Sequence, residues 1–282
     1  MKIEIICPLY KGKEYIVNLK QNIDKQEMVN IQQIFFVLTD TNDESQQILN
    51  ENNCKYEKIT PSEFSHSFTR EFYALKSKAD IIVFITQDIV IEDKLWLYNL
   101  IKNIVKDKAD AAFSRQITKF NNIEKYTREK NYPIESRIVS KKDIERLGLY
   151  TFFFSDAASA VKLDVFKKLN GYDQKRLPIS EDMYFAYKLI INDFKINYAA
   201  DSVIYHSHNF SLKELYDRYK LTGKFFKQNS YLDQYGTNKT GGGMAKYVLK
   251  RAIQDKNLKV LFRMPFDMVT RFIGMKVGKY GR

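Results

Sequence analysis

Dense apolar runs separated by polar, turn-forming segments dominate the first two hundred residues. IEIICPLY (Ile3–Tyr10) and IQQIFFVLTD (Ile31–Asp40) read as strands, and ADIIVFITQD (Ala79–Asp88) reads as a strand buried on both faces. Between them the pattern predicts helices over about Glu14–Gln26, up to about Asn52, and over Thr69–Lys78, with a short strand near Cys54–Ile59. Strands alternating with helices imply βαβ crossovers and a mostly parallel sheet. Further on, Asp110–Arg115 reads as a strand. Asp156–Leu169 reads as a strand and a helix stopped at Gly171, Glu181–Asp193 as a helix capped by Ser180, and Ile196–Tyr205 as a strand. Leu212–Gln228 reads as an aromatic-rich helix. Phe120–Lys142 shows no sustained period and is expected as a long loop or loose helices. Asn229–Gly243, with its glycine triplet, is expected as a flexible linker.

Composition narrows the class. The chain has 282 residues, 44% of them hydrophobic, enough for one large α/β domain and an appendage. Cys7 and Cys54 are the only cysteines and are expected as reduced thiols of a cytosolic protein. Glu4 and Pro8 interrupt the first apolar run, which argues against a signal peptide, and no window offers the roughly 18 apolar residues that span a bilayer.

The net charge is +12 and unevenly placed. Met244–Arg282 holds ten Lys or Arg against Asp255 and Asp267, a net +8, interleaved with large apolar residues. This favours an anionic membrane surface as partner. The alternative is a solvated hairpin packed on the domain. A nucleic acid partner is disfavoured, because the tail has no zinc, helix-turn-helix or RNA-binding signature.

Parallel sheets place ligand sites beyond the carboxyl ends of their strands. Asp88 stands at such an end, where a carboxylate can hold a divalent cation against a diphosphate or, equally, cap the next turn. His206 and His208 point the same way if they continue a strand, so they can share a site.

Six ordered segments then resemble family 2 GT-A glycosyltransferases, and within them the bacterial rhamnosyltransferases. They are ICPLYKG, FFVLTDTNDES, FSHSFTREFYAL, FITQD, the stretch from FFFSDAASAVK to SEDMYFAYKLI, and VIYHSHNFSLKELYDRYKLTGKF. The resemblance covers about residues 3–228. It implies a GT-A (Rossmann-like) mixed sheet flanked by helices, with a catalytic domain over 1–210 and a helical extension over 211–282. It implies Asp182 as general base, with Glu181 positioning acceptor or base. Pro8, Tyr10, Asp40, Asp43, His66, Arg70 and Gln87 would hold the nucleotide-sugar, and Asp156 would face the acceptor. Asp88, with His206 or His208, would hold Mg or Mn. For Glu181 and Asp182 a helix-dipole role is the alternative, for Asp43 a turn, and for Asp156 an N-cap.

The implied reaction is inverting transfer of L-rhamnose from dTDP-L-rhamnose to a lipid-linked saccharide at the inner face of the cell membrane. A UDP-glucose, UDP-galactose or other UDP-sugar enzyme, or a non-catalytic relative, is the alternative. Two departures stand out: Thr86 replaces the first acid of the Asp-x-Asp motif, and Ser67 and Phe68 stand where Gly-Gly is common.

Overall fold

The computed structural model describes residues 1–206 and 208–281; Ser207 and Arg282 lie outside it, as do the side chains of residues 237–241. An eight-stranded mixed sheet runs in the order β3-β2-β1-β4-β7-β5-β8-β6. Its strands are β1 (Ile3–Tyr10), β2 (Ile31–Thr39), β3 (Lys55–Ile59), β4 (Ile81–Ile85), β5 (Ala111–Ile117), β6 (Arg137–Val139), β7 (Ala158–Lys162) and β8 (Ile196–Tyr205). The first four pair in parallel; β7 runs antiparallel to β4 and β5, and β6 antiparallel to β8.

All five residues of β4 are buried, which is why its sequence is uninterrupted Ile, Val and Phe. Helices α1 (Ile16–Asp24), α2 (Ser45–Glu51), α3 (His66–Lys76) and α4 (Trp96–Val105) alternate with the first strands. Their apolar stripes close the core; α4 buries Trp96, Leu97, Leu100, Ile101 and Ile104 at helical spacing. The chain builds β1 to β3 on one side of β1 and then crosses to β4 on the other. The order therefore reverses between β1 and β4, the point where such sheets open a ligand crevice.

The chain divides into two compact units. The first comprises residues 1–115, 134–142 and 151–206; the second comprises 116–133, 143–150 and 207–282. The second unit thus takes in more than the extension expected from residue 211. It contains α5 (Ile123–Asn131), α6 (Ile144–Leu147), α9 (Leu212–Gln228), α10 (Thr237–Gln254) and α11 (Leu258–Tyr280). Helices α7 (Leu163–Lys168) and α8 (Glu181–Ile191) belong to the first.

Three local expectations need correction. Over Phe120–Lys142, expected as a long loop or loose helices, a capped helix forms and an unexpected strand follows it. Asn122 caps α5 by accepting from Glu124 N at 3.0 Å, and the helix buries Ile123, Tyr126 and Thr127 one turn apart; β6 follows. The apolar signal was three residues among many charges, too thin to stand out. Asn229–Gly243 is not a linker: a 3-10 turn spans Ser230–Tyr235, Gly236 takes a left-handed φ of 86°, and α10 runs through the glycines. Beyond them, Val248 and Ala252 anchor α10 against Ile123, Tyr126, Val260 and Met264, and tertiary packing overrides the poor propensity of Gly. Ser180 precedes α8 as expected, but its side chain makes no cap bond. It sits at φ 61°, and its carbonyl accepts from Tyr184 N at 3.0 Å.

Candidate active site

Two groups of side chains gather in the first unit. One lies at the carboxyl ends of β1, β2 and β4. The Gln87 amide makes a two-way clamp across the β1–β4 reversal: it donates to Tyr10 O at 2.9 Å and accepts from Tyr10 N at 2.8 Å. This ties the loop after β4 to the end of β1 and leaves the Tyr10 ring half exposed. Pro8 stands two residues earlier on β1, paired in register with Val37. Asp40 follows β2, accepts from Asn42 N at 3.3 Å and pairs with Lys58 at 3.1 Å. The Lys58 ammonium holds its carboxyl below the usual carboxylate range. Asp43 accepts from the hydroxyls of Thr41 (3.1 Å) and Ser45 (2.7 Å), the turn-forming role that its sequence position left open.

One residue beyond Gln87, the Asp88 carboxylate lies 3.5 Å from His206 Nε2. The antiparallel bridge between Val90 and Tyr205 brings the two together, with both of its backbone hydrogen bonds at 2.9–3.0 Å. A carboxylate oxygen beside an imidazole nitrogen fits a divalent cation. His208 belongs to the second unit, where its ring lies 5.0 Å from that of Phe210.

The other group is a buried ionic cluster centred on Arg70, a residue only 2% exposed. Helix α3 carries Arg70 inward. Its Nη1 donates to Glu181 Oε1 at 3.1 Å and to the carbonyl of His66, one turn back, at 2.9 Å. Nη2 lies 3.5 Å from the carbonyl of Asp156. Asp156 is itself buried and accepts from Tyr172 Oη and Ser159 Oγ, each at 2.6 Å. Burial, foremost, pushes the Asp156 carboxyl up, against the opposing pull of Arg70. Burial also raises the Tyr172 phenol, which keeps its proton to donate to Asp156. Asp182, next to Glu181 in the first turn of α8, accepts from Met183 N at 2.7 Å. Desolvation first, then the charges of Glu181 and Asp156, push its carboxyl well above the ordinary range. Arg70 thus pairs with the Glu181 carboxylate inside a cluster that also holds Asp156 and Asp182, and the carboxyls of both of these are pushed up from the ordinary range.

The expected roles change at several positions. Arg70, expected to help hold the nucleotide-sugar, is buried and pairs with Glu181. Its neighbour His66 is exposed at the start of α3, with its ring edge-on to Phe64 at 5.0 Å. Asp156 is a buried member of the cluster rather than a cap. Ser67, where glycine was expected, is fully buried; it donates to Lys175 O at 2.5 Å and accepts from Leu177 N at 2.8 Å, so its hydroxyl holds the loop before α8. Sequence reasoning missed Tyr172, Ser159 and Glu71. The Glu71 carboxylate accepts from Tyr172 N at 2.9 Å and Gln174 N at 3.1 Å. It pins the turn through Gly171, whose φ of 43° leaves no room for a Cβ against the Phe166 ring. The available signal was adjacency: Glu71 follows Arg70, and Tyr172 follows a glycine.

Comparison with known proteins agrees with this architecture. The model of the family "Glycosyl transferase family 2" matches residues 4–169. The O-antigen chain rhamnosyltransferase RfbN of Salmonella typhimurium is 30% identical over 287 residues, 99% of this chain and 90% of that protein. The O-antigen chain rhamnosyltransferase WbaN of Salmonella anatum is 33% identical over 228 residues, 79% of this chain and 71% of that one. Among solved structures, the mannosyltransferase PcManGT of Pyrobaculum calidifontis, in complex with GDP-Man and Mn2+, superposes with a TM-score of 0.66 at 11% identity, covering 99% of this chain and 87% of that one. S. aureus TarS superposes with a TM-score of 0.61 at 16% identity, covering 100% and 92%. The fold is that of the GT-A enzymes.

Proposed function

The chain belongs to glycosyl transferase family 2 and is a glycosyltransferase; from that premise we propose that it moves L-rhamnose, with inversion, from dTDP-L-rhamnose to a lipid-linked saccharide during assembly of a cell-surface polysaccharide. The names of its rhamnosyltransferase relatives support the sugar. The observation that carries the chemistry is the buried cluster at the head of α8, which supplies one carboxylate with a raised proton affinity.

Inversion needs a single base, because the acceptor hydroxyl attacks the anomeric carbon from the face opposite the diphosphate. Asp182 takes that proton. Glu181, fixed by Arg70, is a like charge beside Asp182 and strengthens it as a base. Asp156, a buried member of the cluster, contributes the same electrostatic push and is proposed to shape the acceptor side of the site from beneath. Pro8, Tyr10, Asp40 and His66 are proposed to line the nucleotide site, with Asp43 and Gln87 fixing its loops. Asp88 and His206 would hold a divalent cation. When bound, such a cation neutralises charge on the diphosphate leaving group. The enzyme is proposed to work at the inner face of the cell membrane. Among the described residues, no helix is long and apolar enough to cross a membrane.

The test is a donor panel. The protein is incubated with a lipid-linked saccharide and dTDP-L-rhamnose, UDP-glucose or UDP-galactose in turn, and products are read by mass spectrometry and by NMR of the new anomeric centre. Rhamnosyl product of inverted configuration is expected. A higher kcat/KM with a UDP-sugar, or no transfer from dTDP-L-rhamnose, overturns the donor, and retained configuration overturns the mechanism.

A further inference from the structure

Helix α11 is apolar on the wrong side. Its inner face packs on the second unit through Val260, Met264, Asp267, Gly274 and Gly278. Gly274 and Gly278 sit so close to α9 that an added Cβ would strike the backbone carbonyls of Tyr216 and Lys220. The register of the helix is therefore fixed, and so is its outer face. Leu258, Phe262, Phe266, Val269, Ile273 and Tyr280 recur there at spacings of three, four and seven residues and are all exposed, Leu258 at 76% and Phe262 at 77%. An ordinary surface helix is polar on this side. Single exposed apolar residues need no explanation, but a stripe running the length of a 23-residue helix does.

The exposed charge on α11 itself has one sign. Asp267 is the only acid on α11, and it is buried and paired with Arg263 at 2.7 Å. Lys259 and Lys276 remain, and Lys279, bound to Asp233, lies at the rim. Lys276 Nζ lies 5.6 Å from the Phe272 ring centre and 4.9 Å from that of Tyr280, so its stem runs along the aromatic surface while the ammonium stays at the edge. An apolar stripe edged by lysines, on a helix with no exposed acid of its own, matches acyl chains beneath anionic phosphates. A second copy of the same face would set like charges together with no acid to pair them.

We infer that the outer face of α11 is a membrane-docking surface that lies in the plane of an anionic bilayer, inserting Phe262, Phe266 and Val269 below the headgroups. This deepens, and for its purpose rests on, the reading that the acceptor is lipid-linked.

The test uses the full chain carrying Phe262→Trp. The one native tryptophan, Trp96, is fully buried, so the new indole reports the face. Vesicles of phosphatidylcholine with phosphatidylglycerol should shift its emission to the blue and allow quenching by shallow brominated lipids; phosphatidylcholine alone should bind at least roughly tenfold more weakly, and added salt should weaken binding to the anionic vesicles. A Phe262→Ser/Phe266→Ser/Val269→Ser variant should lose at least roughly tenfold in co-sedimentation with anionic vesicles while keeping its melting temperature and its transfer to a short soluble acceptor. An unshifted indole overturns the inference, as does equal sedimentation of the variant. So does a stripe variant whose change is in sedimentation velocity without vesicles, which would mark a contact between copies. Asp182→Asn should bind vesicles normally, so loss of transfer and loss of docking are read separately.

Discussion

In the first unit, Arg70, Glu181 and Asp156 lie almost wholly out of water; in the second, Phe262 and Leu258 stand almost wholly in it. Both arrangements run against the preferences that fold the rest of the chain. The first is held together by pairing: one guanidinium, one phenol and one hydroxyl offset the desolvation of two carboxylates, Glu181 and Asp156. The second is held by geometry, because the glycine face of α11 fits only one way against α9. Buried charge tunes a proton affinity, whereas exposed hydrocarbon waits for a surface. Substitutions that separate the two costs also separate the two functions.

The largest effect is expected in the cluster. Asp182→Asn keeps the shape and removes the base, so kcat should fall by roughly 10²–10⁴ with donor affinity retained; near-normal turnover would move the base elsewhere. The same change should stabilise the fold. The folded Asp182 has its pKa raised, so ionising it costs stability as pH rises from the unfolded toward the folded pKa. Asp182→Asn should therefore melt higher at neutral pH, by on the order of 2–4 °C for each kcal/mol relieved, and lose that gain below the ordinary carboxylate range. Thermal melts across pH check this.

Arg70→Ala leaves Glu181 and Asp156 buried without their cation and should cost about 3–5 kcal/mol in denaturant unfolding. A loss near zero would mean water reaches the cluster. Asp88→Ala should weaken donor binding by at least the roughly 10–100-fold typical of disturbed metal shells, and chelator should do the same to the wild type. Equal calorimetric affinity with and without metal would remove the cation from the scheme.

In the second unit the two faces of α11 should respond oppositely. Gly278→Ala drives a methyl into the Lys220 carbonyl and should cost about 1–3 kcal/mol. Phe262→Ala, on the outer face, should stay within about 0.5 kcal/mol. Similar losses at both positions would mean that the outer face is packed too.

Much of this was legible in sequence, unevenly. Strands β1 and β8 and helix α9 have the boundaries their patterns predict, because buried strands and aromatic stripes carry dense local signals. The acids of α8 were legible only through family resemblance, since two carboxylates opening a helix are also ordinary dipole partners. The pairing of Arg70 with Glu181 is not legible locally, because nothing near an arginine in sequence says whether it meets a buried glutamate; that depends on α8, more than a hundred residues away. Tyr172 was invisible for the same reason. The tail's charge and apolar content could be counted from sequence. Which apolar residues face outward could not, because Gly274 and Gly278 decide it through contacts with α9.

The central claim is that the Arg70 cluster exists to make Asp182 a base. The pH profile of kcat/KM for wild type and Glu181→Gln tests it most directly. The account predicts that the wild-type acid limb lies above the ordinary carboxylate range. Removing the like charge of Glu181 lowers the Asp182 pKa, so the limb should move to lower pH in the variant. Identical limbs at an ordinary carboxylate pH in both proteins would contradict it.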